Sequence, residues 1–480
     1  MLDVKVYKAL QNTEKKIRNR FSKYLNSPYF NVNQDITNLF EVLEQNIDKK
    51  NVLTKEQIWK SVKGSETFND KVLRSLLNKL LGLFEDFLAQ ERYQDKKLTK
   101  SVYKLEQVQD DKYEILRNQI IKEARTIEKR YHELSSDFHL DMYLIENLYF
   151  FISFDFQRKQ RKSAKKTFSL SKTLHHLDVY YIAEKLRFIY IQLFWNEYFE
   201  GDKNDLFNDE ILRAVNKGKF RKEKLLVAFY YAIRTLTNTE KESYFTSLKI
   251  LLQENFDAFK KIDQRFFYDV LLTYSIRRMN KGDKDFLIES YNLYRDSVER
   301  GVVLIDNEMS PITYRNIIAI ALRVKAYQWV EEFAMEYVNY LPKAERENAL
   351  NFNFARIHFY KKSYGDALVS MNQVNLDDLF YDLNGRTLLV ALYYELNETE
   401  ALISSVQAFK NVLKRKKLSQ EAKSRYNNYL KLSQKLALAN PYNKSKLKAI
   451  QKQLDELSSV NKPWLREKMQ ELLPLALERK

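Results

Sequence analysis

Ala355-Arg356-Ile357-His358-Phe359-Tyr360-Lys361-Lys362-Ser363-Tyr364-Gly365-Asp366-Ala367-Leu368 is the stretch on which the fold turns. It predicts one helix ending near 361 and a second starting at 364, with only a short polar joint between them. Outward from it the same rhythm continues. Helices are expected near 222–237, 241–258, 263–280, 284–300, 311–324, 327–341, 345–361, 364–374, 382–395, 398–416 and 419–438. Two more follow at 443–458 and 463–478, the last opening on Pro463 in a favoured first-turn position. Alternating helices with short polar joints, continued this far, mark a helical-repeat array.

Within the quoted stretch, Ala355 and Ala367 lie one on each helix of the pair. That pattern resembles the core of a tetratricopeptide repeat, in which small residues sit where the two helices cross closely. The motif is steric: a large side chain at either position would push the helices apart. Ala401 follows Ala367 by the 34 residues of that period, and Val330 precedes it by 37. Pro342 lies twelve residues after Val330, where the family commonly ends its second helix, and Tyr327 and Tyr364 occupy matching turn positions. Ile318 and Leu389 depart from the pattern, standing where a small residue is expected. The resemblance spans about residues 222–440 and is clearest over 311–416. It implies an α-solenoid of antiparallel helix pairs whose concave groove binds a peptide or a protein surface.

Composition agrees with an all-α chain. At 480 residues the protein exceeds a single compact core, leaving several domains or an extended stack. Only 8 Gly and 6 Pro are present, too few for the turns of a sheet-rich fold. The 32 Tyr and 30 Phe supply a large apolar interior despite 30% charged residues. With no Cys there are no disulfides, thiolate metal sites or Cys nucleophiles. The start, Met1 to Val6, has no apolar signal core, and the densest apolar run, Leu225 to Ile233, is far shorter than the ~20 residues of a bilayer span. A cytoplasmic protein without membrane insertion is the expectation.

The N-terminal part reads as residues 1–110, a helical domain, followed by a middle helical layer over 111–220; then come the repeats, 221–416, and a C-terminal cap, 417–480. A first helix is expected over 4–25, stopping before Ser27-Pro28. A second covers 34–47. Thr54 with Gln57 forms a capping box opening a helix through Val62, and Lys63-Gly64-Ser65 breaks it. Asn69 or Asp70 then caps a helix with an apolar stripe of Leu73, Leu76, Leu77, Leu80, Leu81, Phe84 and Leu88. Residues 54–88 thus have the outline of a helix-turn-helix, which would present Lys71, Ser75, Asn78 and Lys79 to DNA. The alternative is a small helical domain closing the end of the stack. Residues 92–200 read as three or four long helices, with the basic stretch 157–172 as a connector.

Nothing predicts catalysis, a cofactor or a metal. The histidines are His132, His139, His175, His176 and His358, with no HExxH among them; His175 and His176, being adjacent, diverge by about 100° on a helix. Neither GxGxxG nor GxxxxGK[ST] occurs. Charge is the informative feature. Of the net +17, residues 401–480 carry +12. Lys410, Lys414, Arg415, Lys416, Lys417, Lys423, Arg425, Lys431, Lys435, Lys444, Lys446 and Lys448 are accompanied over 410–448 by one acid, Glu421. Tyr426, Tyr429 and Tyr442 interleave with them, a pattern suited to phosphates and bases. A shorter basic run is Arg158, Lys159, Arg161, Lys162, Lys165 and Lys166. The sequence therefore supports two readings: a non-catalytic adaptor for a protein or peptide, or a nucleic-acid- or ribosome-associated protein. Oligomeric state is not encoded in any of these signals.

Overall fold

The computed structural model describes residues 4–49, 53–130, 134–160, 170–198 and 209–475. Among them the chain is all-α, with 23 α-helices, short 3-10 turns and no β-strand. In order these are α1 Lys5–Gln11, α2 Lys15–Leu25, α3 Gln34–Lys49, α4 Lys55–Lys63, α5 Asp70–Asp95, α6 Lys97–Gln107, α7 Glu114–Arg130, α8 Ser136–Gln160, α9 Leu170–Tyr198 and α10 Asp209–Lys217. Next come α11 Lys224–Thr237, α12 Glu242–Glu254, α13 Lys261–Asn280, α14 Asp285–Glu299, α15 Pro311–Arg323, α16 Tyr327–Tyr337, α17 Arg346–Tyr360 and α18 Tyr364–Asn372. The last are α19 Leu379–Glu395, α20 Thr399–Arg415, α21 Gln420–Ala437, α22 Lys444–Glu456 and α23 Lys462–Leu475.

The chain divides into two compact units, residues 1–188 with 209–226, and residues 189–208 with 227–480. In the first, the single helix expected over 4–25 is two. Asn12 to Glu14 interrupt it, and the buried Arg18 holds the break open by donating to the Thr13 carbonyl (2.6 Å) and to Glu44 (2.7 Å). The Thr54–Gln57 capping box forms as read: Gln57 N–H donates to the Thr54 hydroxyl, and Thr54 N–H donates to the Gln57 side chain. Gly64 closes α4 at φ +68°, a conformation that costs a side-chain-bearing residue energy. Asn69 caps α5 by accepting from Val72 N–H. One residue of the α5 stripe is corrected. Leu88 is exposed and Phe87 is buried in its place, because the stripe advances by three residues after Phe84.

The second unit is built from consecutive helix pairs. From α12 to α21, each helix packs on the next, and α15, α17, α19, α21 and α23 also pack on one another as a layer. The turn inside successive pairs is the same object. After α13, α15, α17 and α19 the chain places Gly282, Lys325, Lys362 and Asn397 at positive φ. At each, the following residue's N–H reaches back across the helix end: Asp283 to Arg278, Ala326 to Ala321, Ser363 to His358 and Glu398 to Tyr393, at 2.9–3.2 Å. This left-handed cap satisfies otherwise orphaned carbonyls and reverses the chain within three residues. Two of the four positions carry Lys, where the left-handed conformation costs roughly 1–2 kcal/mol. Their retention shows how strongly packing on both sides fixes the turn.

Candidate functional site

The turns set the register of the packing residues. Val330, Ala367 and Leu402 each stand five residues after the left-handed position and are all buried. Ala401, the residue expected from the 34-residue spacing, is only half-buried, so Leu402 takes its place. On the preceding helices the matching positions are Ile318, Ala355 and Val390, again all buried; Leu389 is one residue out of register. Only the pair α17–α18 therefore has alanine on both sides of its crossing, with Ala355 and Ala367 fully buried. Pro342 lies in the extended connector between α16 and α17, after a 3-10 turn over Val338–Tyr340. Tyr327 and Tyr364 are half-buried at the start of α16 and α18, beside α23. Burial, with Glu395 and Glu467 nearby, pushes the Tyr364 hydroxyl up to about 12.

The helix α23 is fastened to α19 by a buried ion pair. Lys468 donates to Glu395 (2.9 Å) and to Glu471 (2.8 Å), and Trp464 Nε1–H donates to Glu395 (2.7 Å). Burial opposes the Lys468 charge, yet its two carboxylate hydrogen bonds outweigh this and hold the ammonium above its ordinary pKa.

The basic C-terminal segment is real as a surface but smaller than its sequence. Lys416 pairs with the buried carboxylate of Asp382 (3.0 Å), and Lys435 donates to Gln453 (2.7 Å). The other ten, Lys410, Lys414, Arg415, Lys417, Lys423, Arg425, Lys431, Lys444, Lys446 and Lys448, have no carboxylate within 4.0 Å among the described residues. They are spread over α20, α21, α22 and the joints between them. The 18 residues of α21 separate the 416–419 joint from the 438–443 joint by about 27 Å, beyond the ~8 Å over which exposed charges act in physiological salt. Tyr429 is corrected: it is fully buried and its hydroxyl donates to the Thr387 carbonyl (2.8 Å), so it is core rather than a stacking platform. Tyr426 is half-buried against Phe409, and Tyr442 is exposed.

In the first unit α3 packs on α4 and on α5, and Lys71, Ser75, Asn78 and Lys79 are all exposed opposite the buried Leu73, Leu76, Leu77 and Leu80. Glu85 and Asp86 extend the same helix with exposed acids. Sequence reasoning missed the histidines' arrangement. His139 Nδ1 lies 3.0 Å from His176 Nδ1, His176 Nε2 lies 3.5 Å from Glu128, and His175 Nε2 lies 2.9 Å from Glu223. Burial and the neighbouring imidazoles push His139 down to about 3, while the His176 and Lys172 hydrogen bonds hold Glu128 near 2 despite burial. Among the described residues, no group of three or more His, Asp or Glu could hold a metal ion, and no helix is long and apolar enough to cross a membrane. His132 and the basic residues of 158–166 have side chains outside the described set.

The third feature is a cleft of about 780 Å³ in the second unit, between the start of α15, the start of α17 and the joint leading into α19. Arg315 and Tyr381 line it, with Glu345, Glu347, Asp377 and Asp378 around them. The Arg315 guanidinium sits 3.7 Å over the Phe380 ring and 5.7 Å from that of Tyr381. On α17, Arg356 lies 5.7 Å over Phe352 and donates to Asn353 Oδ1 at 3.3 Å. No carboxylate lies within 4.0 Å of Arg315 or Arg356 among the described residues. Comparison of the chain with protein-family models, with curated proteins and with solved structures finds no match, so these three surfaces carry the functional argument by themselves.

Proposed function

We propose that the protein is a non-catalytic adaptor, whose helix pairs over 311–416 are tetratricopeptide-like units of a solenoid that docks a protein or peptide partner. The carrying observation is the polar cleft opened on the layer of α15, α17 and α19, large enough for several side chains and lined by both charge signs. The recurrent left-handed turns and the packing of α15, α17 and α19 on one another support a stack with one continuous face.

A second reading, a nucleic-acid-associated protein, is favoured by the eleven cations of 410–448 that have no carboxylate within 4.0 Å among the described residues. Capture from a native lysate, with and without nuclease, separates the two. The adaptor reading expects a protein retained after nuclease and retained equally by a Lys414→Gln/Arg415→Gln/Lys417→Gln variant. Retention that nuclease and this variant both abolish would replace it with the second reading. In that case the affinity should fall steeply with salt.

A further inference from the structure

We propose that the cleft takes a basic segment of the docked partner, seating a lysine or arginine side chain among its carboxylates. This rests on the reading of α15–α19 as the docking layer. Four acids line the cleft, Glu345, Glu347, Asp377 and Asp378, against one cation, Arg315. None of the four has a Lys, Arg or His nitrogen within 4.0 Å among the described residues. Arg346, adjacent to two of them in sequence, is turned instead to the Leu341 carbonyl (2.8 Å). Arg315 is committed as well: its guanidinium lies 3.7 Å over the Phe380 ring and donates to the Tyr381 hydroxyl. The cleft is therefore a net-acidic recess in a chain whose total charge is +17. Like charges left without counter-charge repel one another, and a cationic group seated between them relieves this.

The walls that carry the acids are fixed before anything binds. Asn348 on α17 donates to the Asn375 carbonyl (3.0 Å), and Asn375 N–H donates back to Asn348 Oδ1 (2.7 Å). Asp378 caps α19 by accepting from the N–H groups of Phe380 (2.8 Å) and Tyr381 (3.3 Å). Glu345 and Glu347 on one wall, and Asp377 and Asp378 on the other, thus face an incoming cation with little ordering left to do. Pro311 and the exposed Ile312 line the same cleft and offer apolar surface to the methylene stem of a lysine or arginine. Charge complementarity selects the occupant. The carboxylates repel an acidic or phosphorylated segment, while the net-basic remainder of the chain disfavours binding of a cationic one elsewhere.

The probe is a fluorescently labelled oligolysine peptide, whose anisotropy is followed as the full chain is added. Saturable binding at one site is expected, weakening as salt is raised. Affinity should fall at least about fivefold in Glu347→Gln/Asp377→Asn. It should rise in Arg315→Met, which keeps a side chain on the Phe380 ring and removes the opposing charge. Glu85→Gln/Asp86→Asn, two exposed acids of the first unit, should bind as the parent does. Glu347 and Asp377 are exposed and unpaired, so their variant should melt as the parent does. Arg315→Met, with an effect of opposite sign, tests the claim independently of any loss of fold. No saturable binding, equal binding by Glu347→Gln/Asp377→Asn, no tightening in Arg315→Met, the same loss in Glu85→Gln/Asp86→Asn, or equal binding of a length-matched oligoglutamate would each overturn it. So would self-association of the chain that Glu347→Gln/Asp377→Asn abolishes, which would seat the basic 410–448 segment of a second copy there instead. The docking reading fails separately, if a captured partner leaves hydrogen exchange in α15–α19 unaffected.

Discussion

Replacing Lys468 by Met tests whether α23 is held to α19 by charge. The ammonium is 3% exposed and its partner Glu395 is 9% exposed, so neither can recover water when the other is lost. The variant leaves the Glu395 carboxylate with Trp464 Nε1–H and the Tyr364 hydroxyl as its donors. Breaking a buried pair on one side costs about 3–5 kcal/mol. A ceiling follows from proton binding: at pH 7, protonating a carboxyl of ordinary pKa 4.3 costs about 3.7 kcal/mol, at ~1.36 kcal/mol per unit. A loss of roughly 3–4 kcal/mol at pH 7 is therefore expected. The sign with pH is fixed as well. Protonation neutralises the carboxylate that the variant strands, so the deficit should shrink as pH falls from 7 toward 4.3. Adding Glu395→Gln should restore most of the loss, since a neutral replacement of both partners is close to isoenergetic. Urea unfolding by circular dichroism at pH 7 and pH 5 measures this. A Lys468→Met loss below 1 kcal/mol, or one independent of pH, would refute the reasoning.

Three further outcomes follow from the packing. Ala367→Leu should lose more than about 2 kcal/mol by overpacking the α17–α18 crossing, whereas Ala401→Leu should change stability by less than about 1 kcal/mol, both read by urea unfolding. Lys362→Gly should gain up to about 1 kcal/mol by relieving the left-handed turn, visible as a higher urea midpoint. In the first unit, His139 and Glu128 both have folded pKa values below their unfolded ones. Stability there is full above pH 6.5 and is lost between 6.5 and 3 for His139 and between 4.5 and 2 for Glu128; His139→Phe should flatten the upper part of that acid profile.

Element existence was legible because helical periodicity is local, and the pairs from α11 to α21 lie within a few residues of expectation. Register was less so. A fixed 34-residue count led to Ala401 and Leu389, but the true spacing between left-handed turns is 37 and then 35 residues. The signal was present in the joints, at Lys325, Lys362 and Asn397, yet only Asn is a residue that announces such a turn. The break at Asn12–Glu14 depends on Arg18 reaching Glu44, a contact across 26 residues that no local pattern encodes. Surface chemistry was the least legible. Tyr429 lies among lysines in sequence but points into the core, and the lysines themselves are spread over α20, α21 and α22. Arg315 looked ordinary, because its seat over the Phe380 ring at the wall of the cleft appears only once helices are placed.

The docking claim is tested most directly by hydrogen exchange on the full chain, alone and bound to the partner captured after nuclease treatment. The account predicts slowed exchange in α15, α17 and α19 around Arg315, Asn348 and Tyr381, with α22 unchanged. Slowing confined to 410–448, with the α15–α19 layer unaffected, would contradict it.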